Sequence, residues 1–231
     1  MNLFYQPLLP DQLYLDEEES RHCVKVLRIR NGEAIRITDG RGSFYDAVIT
    51  DASQKRCVFA IREQIPEQPR DYHIHIAIAP TKNPDRLEWF VEKATELGVD
   101  RITFIRTEHS ERVYLKKERL LRMAVSAMKQ SLKPTLPDLS DLTDLPTLLE
   151  KCDEQERFIA FVDESNPLHL KDCAVKGKSY LILIGPEGDF SKGELEMATG
   201  KGFVKVSLGG SRLRTETAGM AACHILNLIN S

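Results

Sequence analysis

No stretch of this 231-residue chain approaches the uninterrupted apolar run that spans a bilayer, so no membrane helix is predicted. The first twenty residues, MNLFYQPLLPDQLYLDEEES, lack the basic start, apolar stretch and small-residue cleavage site of a secretory signal. A cytoplasmic protein is expected. Cysteine is sparse: Cys23, Cys57, Cys152, Cys173 and Cys223 are scattered, odd in number and never spaced as CxxC. That pattern speaks against a disulfide framework and a zinc site, so reduced packing residues and no metal are expected. Phosphate-loop signatures are also missing, with no GxxxxGK[ST] and no GxGxxG after a strand. No internal repeat or low-complexity tract interrupts the chain, and neither sign of charge dominates, the net being only -3.

The charge is unevenly placed. Residues 81 to 133 carry twelve Lys and Arg against eight Asp and Glu, whereas 134 to 231 carry ten against fifteen. A basic middle could face a polyanion, but charge alone favours a solvated helix surface. Lys82, Arg86, Lys93, Arg106 and Arg112 supply part of it.

Two rhythms divide the chain. From Cys23 to about Glu63, the runs CVKVLRIR, EAIRITDG, RGSFYDAVIT and KRCVFAIRE alternate with period two between Asn-Gly, Asp-Gly and Gly-Ser turns. They predict a small antiparallel barrel or sheet. The two prolines of IPEQPRD discourage either element from continuing and mark a boundary, with domains over 1–68 and 72–231. Beyond it, strands alternate with helices. HIHIAIAP reads as a strand; Leu87, Phe90, Val91, Ala94 and Leu97 then repeat at helical spacing, with Gly98 as a stop. RITFIRT, FIAFV, YLILIG and FVKVSLG read as further strands, and KERLLRMAVSAMKQS as a helix with a basic polar side. In the last helix Ala218, Ala221, Ala222, Ile225 and Ile229 share a stripe small enough for close packing in a core or a subunit interface. The alternation predicts an α/β domain whose mostly parallel sheet is covered on both faces.

Chemistry concentrates at two strand ends. YLILIG runs into PEGDFSKGE and FVKVSLG into GSRLRTETAG, so two buried strands end in glycine-rich loops that each precede a helix. Ser191 and Glu194 have capping-box spacing. Ligands bind at the carboxyl ends of such strands, and Glu187 makes a cationic or neutral ligand fit better than a phosphate. Arg214 and Glu216 stand in the second loop, where a local ion pair at the helix start is the plain structural reading.

LILIGPEGDFSKGEL, SLGGSRLRTETA, WFVEKATELGV, TEHSERV and HCVKVLRIRNGE together resemble the RsmE family of SPOUT-class methyltransferases, from about His22 to the carboxyl end. The resemblance implies a trefoil-knotted, mostly parallel SPOUT catalytic domain behind a PUA-like β-barrel. It also implies a homodimer that uses S-adenosylmethionine to methylate N3 of one uridine in 16S ribosomal RNA. On it, Ile184, Gly185, Pro186, Glu187, Gly188, Ser207, Leu208, Gly209, Leu213, Thr215, Thr217 and Ala218 are expected to form the cofactor pocket. Arg214 and Glu216 are the expected catalytic residues. His22, Arg28, Arg30, Lys82, Arg86 and Arg112 are candidates for RNA contact, with exposed surface charge as the alternative. Trp89 reads as packing or subunit contact rather than a base platform. The chain departs from the family pattern at Asp189 and Arg212 without losing a motif residue, and at Lys133, where an arginine is common and a phosphate contact would tolerate lysine. Two other functions stay open: methyl transfer to a ribose 2'-hydroxyl, and a non-catalytic RNA-binding assembly factor.

Overall fold

The computed structural model describes residues 2–112, 114–161 and 168–231. The chain divides into two compact units, Met1–Pro69 with Val125–Leu136, and Arg70–Ala124 with Pro137–Ser231.

In the first unit β1 (Leu3–Tyr5), β2 (Ala34–Thr38), β3 (Ser43–Asp51) and β4 (Val58–Pro66) form one sheet in chain order; β1 runs parallel to β2, and the other pairs are antiparallel. Period-two alternation turns Ile35, Ile37, Tyr45, Ala47, Ile49 and Phe59 inward, where they pack with Phe4, Leu9 and Leu15. The strand expected at CVKVLRIR does not form: its first four residues are helical and the last four irregular. Asp16 caps α1 (Glu17–Arg21) by accepting the Glu19 N–H, and the helix runs on through a π turn over His22–Val26. The apolar residues face the core at helical spacing, with Cys23 buried and Leu27 beside it, while Val26 points outward. The acidic first turn behind an Asp cap was the overlooked signal. Cys23 and Cys57 are both free thiols here, Sγ to Sγ 3.9 Å apart in the core.

Residues 125–136, read from the sequence as part of the second domain, join the first unit through backbone groups. The Pro134 carbonyl accepts the Thr38 hydroxyl at 2.8 Å and the Gly42 N–H at 3.1 Å, and the Gly40 carbonyl accepts the Leu136 N–H. Lys129 pairs with Glu19.

The second unit is α/β. In chain order it contains β5 (His73–Ile78), α2 (Pro84–Leu97), β6 (Arg101–Arg106), α3 (Lys117–Gln130, whose last turns lie in the first unit) and β7 (Asp138–Leu139). Then follow β8 (Thr143–Asp144), α4 (Leu145–Lys151), β9 (Glu156–Ala160), α5 (Leu170–Cys173) and β10 (Ser179–Ile184). It ends with α6 (Lys192–Gly200), β11 (Val204–Val206) and α7 (Thr215–Asn230). The strands are parallel in the order β11-β9-β10-β5-β6-β7, with β8 also on β6. Among the described residues, no helix is long and apolar enough to cross a membrane.

β10 is buried from Tyr180 to Ile184, as its continuous apolar run requires of a strand covered on both faces. On one face Ala77, Ala79, Leu181 and Leu183 pack against Leu145, Leu148 and Leu149 of α4 and Leu195 and Ala198 of α6. α2 and α7 cover the other face, where Gly219 lies against Phe90 and Ile78. The inward stripe of α7 is Thr215, Gly219, Ala222 and Leu226. It is rotated from the expected one, leaving Ala218, Ala221 and Ile225 half-buried.

A polar cluster interrupts this core. The buried His75 ring donates from Nδ1 to Glu154 Oε1 at 2.6 Å and meets the Thr103 hydroxyl at Nε2, 2.7 Å away, while Glu154 Oε2 has no partner among the described residues. Burial pushes the Glu154 carboxyl up, but the His75 hydrogen bond and charge outweigh it and leave its pKa below the ordinary 4.5. A depressed carboxyl contributes stability above the unfolded pKa and loses it as pH falls through the folded one. Wild-type stability, measured by urea unfolding, is expected to drop as pH falls below 4.5. Glu154→Gln should be less stable at neutral pH and show a shallower acid slope.

Candidate active site

The parallel register brings three strand ends level. Ile184 of β10 aligns with Ala160 of β9, and Ala160 with Val206 of β11, so Phe161, Gly185 and Ser207 leave the sheet side by side. The two glycine-rich loops follow β10 and β11. Between them lies a cleft of about 500 Å³, the size that encloses a drug-sized or nucleoside ligand.

The first loop contributes Ile184, Gly185, Pro186 and Glu187 to the lining, and the second Ser207, Leu208, Gly209, Leu213 and Arg214. Thr215 and Ala218 add the first turn of α7. Eleven of the fourteen residues expected in the pocket or as catalytic therefore meet at one cleft. Gly188, Thr217 and Glu216 do not line it. The sequence reading missed Ala160, Phe161 and Val206, whose only signal is a position at a parallel strand end, and Asp189 and Gly210 to Arg212, which lie within the loops themselves.

Side chains fold these loops as well as line them. The Ser207 hydroxyl accepts the Gly209 N–H and donates to its carbonyl, both at 3.1 Å, closing a tight turn. The Thr215 hydroxyl donates to the Gly185 carbonyl at 3.0 Å, tying the start of α7 to the first loop. After that loop, the Ser191 and Glu194 side chains close the expected capping box on α6. Asp189 sits at φ 59, the left-handed region that a side chain enters at a cost, and its Oδ1 accepts the Phe190 N–H at 2.8 Å. Asp189→Gly relieves the backbone but loses that bond, so stability in chemical denaturation is expected to stay within about 1 kcal/mol. Asp189→Val should lose about 2 kcal/mol because a branched side chain fits this region poorly.

Arg214 and Glu216 part company here. Arg214 is the exposed N-cap residue of α7, makes no side-chain cap, and lines the cleft without a carboxylate partner among the described residues. Glu216 is buried, and its partner is Arg86 of α2, Nε to Oε1 at 3.7 Å. A local Arg214–Glu216 ion pair is absent among the described residues.

The basic candidates fall into two groups. His22, Arg28 and Arg30 are exposed on and after the π turn of the first unit, with Arg28 at φ 58. In the second unit Arg86 is engaged by Glu216, Arg112 donates to the Lys82 carbonyl at 3.1 Å, and the exposed Lys82 ammonium pairs with Glu111 at 2.9 Å. Trp89 is partly exposed on α2.

Comparison with known proteins gives two family matches: the RNA methyltransferase domain over residues 67–227 and the RNA methyltransferase PUA domain over 15–62. The chain is 30% identical to the ribosomal RNA small subunit methyltransferase E of Aquifex aeolicus, over 98% of this chain and 99% of that protein. Among solved structures, a probable rRNA-methyltransferase from Porphyromonas gingivalis is similar with a TM-score of 0.94 and 46% identity, covering 100% of this chain and 98% of that one. The ribosomal RNA small subunit methyltransferase E of Neisseria gonorrhoeae, bound to S-adenosyl methionine, matches with a TM-score of 0.88 and 26% identity over 100% and 98% of the two chains.

Proposed function

We propose, from the premise that this chain belongs to the RNA methyltransferase family, that it is an S-adenosylmethionine-dependent methyltransferase acting on N3 of a uridine in the 16S RNA of the small ribosomal subunit. The names of its relatives support the RNA, and the ligand bound to one structural neighbour supports the methyl donor. The observation that carries the reading is Arg214, a cation with no carboxylate partner among the described residues, set at the start of α7 on the wall of a cleft that both glycine-rich loops line.

The cleft suits the donor. Ile184, Leu208, Leu213 and Val206 supply apolar walls, the loop backbones supply amides and carbonyls for an adenine edge, and Glu187 and Asp189 place carboxylates where a cationic ligand gains from them. Bound there, S-adenosylmethionine supplies a methyl group on a positively charged sulfur. The chain must do the rest. The uracil imide is a poor nucleophile while protonated, and losing the proton spreads charge onto the ring carbonyl oxygens. Arg214 meets that charge with a permanently cationic fork of donors. Glu216, held by Arg86, orients the first turn of α7 that carries Arg214 and Thr215.

His22, Arg28 and Arg30 on the PUA-like unit supply exposed groups for RNA phosphates. Lys82, whose carbonyl takes a hydrogen bond from Arg112, borders the loop at Glu187, and Arg86 adds a further cation on α2. A cytoplasmic homodimer with a trefoil-knotted catalytic domain belongs to the same reading, and the exposed Trp89, Leu121 and Leu228 offer apolar surface for subunit contact.

The test incubates the protein and S-adenosylmethionine with 30S subunits from cells lacking the enzyme, alongside naked 16S RNA, followed by mass spectrometry of digested nucleosides. New N3-methyluridine on the subunits is the expected result. Appearance of 2'-O-methyl nucleosides instead would move the chemistry to the ribose, and donor binding without methylation of either RNA would overturn the assigned substrate.

A further inference from the structure

TEHSERV stands out in the sequence, yet none of its described residues lines the cleft. Its structure explains where it acts. Thr107 and Ser110 close a turn on themselves after β6: the Thr107 N–H donates to Ser110 Oγ at 3.0 Å, and the Ser110 N–H to the Thr107 carbonyl at 3.1 Å. From that turn one group reaches the first turn of α6 and another the loop of the GPEG motif. The Glu108 N–H donates to Glu194 Oε1 at 2.8 Å. The His109 ring donates from Nδ1 to the Asp189 carbonyl at 3.0 Å.

Gly188 makes the second contact possible. A Cβ added there would lie 3.0 Å from His109 Cβ and 3.4 Å from its Cγ, so the ring rests on bare backbone. Asp189, whose carbonyl the ring holds, is the residue in the left-handed conformation, and its neighbours Pro186, Glu187 and Asp189 itself line the cleft. A group that holds a strained carbonyl from behind sets how often the loop presents its ligand-facing side correctly.

We propose that His109 is the positioning residue of the 185–189 loop and that, through its hydrogen bond to the Asp189 carbonyl and its packing on Gly188, it sets the affinity of the cleft for the adenosyl methyl donor. The assignment rests on the donor reading above for its ligand and on geometry alone for its effect on the loop. The Asp189 carbonyl also raises the pKa of His109, with Glu108 and Glu194 adding to it, as expected of a donor facing oxygen. Loss of one such bond lowers the competent fraction of the loop by about five- to tenfold, and apparent affinity falls by the same factor.

Two measurements on the full chain decide the matter, using His109→Ala and His109→Asn, whose side-chain amide can replace the Nδ1 donor. In ligand-free protein, hydrogen exchange of peptides covering 184–191 should be faster in His109→Ala and near wild type in His109→Asn. Calorimetric titration with S-adenosylmethionine should show Kd raised about five- to tenfold by His109→Ala and within about twofold of wild type for His109→Asn. On 30S subunits the KM for the donor should rise in parallel while kcat stays within about twofold. Unchanged exchange and Kd in His109→Ala would overturn the proposal, as would an Asn variant as impaired as the Ala variant, or a fall in kcat at unchanged Kd. A wild-type protein that does not bind the donor would sink the donor reading and the affinity claim, while the exchange data still decide the loop role.

Discussion

Arg214→Ala is expected to lower kcat for methyl transfer by about a thousandfold, roughly 4 kcal/mol of transition-state stabilisation, while the Kd for S-adenosylmethionine moves by less than about threefold. The fold gives the substitution little else to disturb. Arg214 is exposed, contributes no side-chain cap to α7 and has no ion-pair partner among the described residues. What it offers is a cation on the cleft wall, beside the positive end of α7, where the proposed reaction would develop anionic charge on the uracil carbonyls. Arg214→Lys keeps the charge but loses the fork, and a loss of about a hundredfold is expected. Single-turnover kinetics on 30S subunits with saturating donor, together with calorimetry, check the pair of values. Turnover unchanged in Arg214→Ala would remove the residue from the chemistry, and a loss confined to Kd would make it a binding residue.

Gly219→Val should cost about 3 kcal/mol of folding stability, which for a chain this size lowers Tm by about 6–12 °C. Gly219 lies in the interior of α7 at its crossing with α2. A Cβ there would fall 2.6 Å from Phe90 Cε2 and 3.1 Å from Ile78 Cδ1, both fully buried side chains with no room to withdraw. Gly219→Ala gains about 1 kcal/mol of helix propensity, which offsets part of the clash, so its net loss should be about 1 kcal/mol. Adding Phe90→Leu to Gly219→Ala should cost less than the two changes separately, because the smaller side chain vacates the space that the new methyl needs. Urea unfolding of the four proteins measures the coupling; strict additivity would show that the helices yield elsewhere. Gly219 follows Thr215 by one turn, so displacement here also moves the residue that ties α7 to the Gly185 carbonyl.

Features that depend on near neighbours were legible in the residues. β2, β3 and β4 announced themselves by alternation, β10 by its unbroken apolar run, and the start of α6 by Ser191 and Glu194. Both cleft loops were legible because each couples a strand end to glycines and a helix start. The rest depends on partners far along the chain. Thr38 and Pro134 are 96 residues apart, His109 and Asp189 are 80 apart, and Glu216 lies on a different helix from Arg86, and no local period encodes such pairings. The π turn at His22–Val26 was misread for a different reason. Valines and isoleucines placed every second or third residue satisfy a strand template, and only the Asp16 cap upstream breaks the tie. In α7 the sequence stripe of alanines followed size, while the helix turned its smallest residue, Gly219, to the tightest contact.

The return of residues 125–136 to the first unit bears on how this protein can be taken apart or recombined. A single cut near residue 69 would sever the sheet-bearing segment from the Pro134 carbonyl that takes the Thr38 hydroxyl and the Gly42 N–H. The liberated piece would keep its strands but lose the acceptor that closes the β2–β3 end. Inheritance of the amino-terminal unit as a simple terminal cassette is therefore blocked: a graft onto another enzyme must carry a second, distant insert, and gene fusions that ignore it should yield a frayed module.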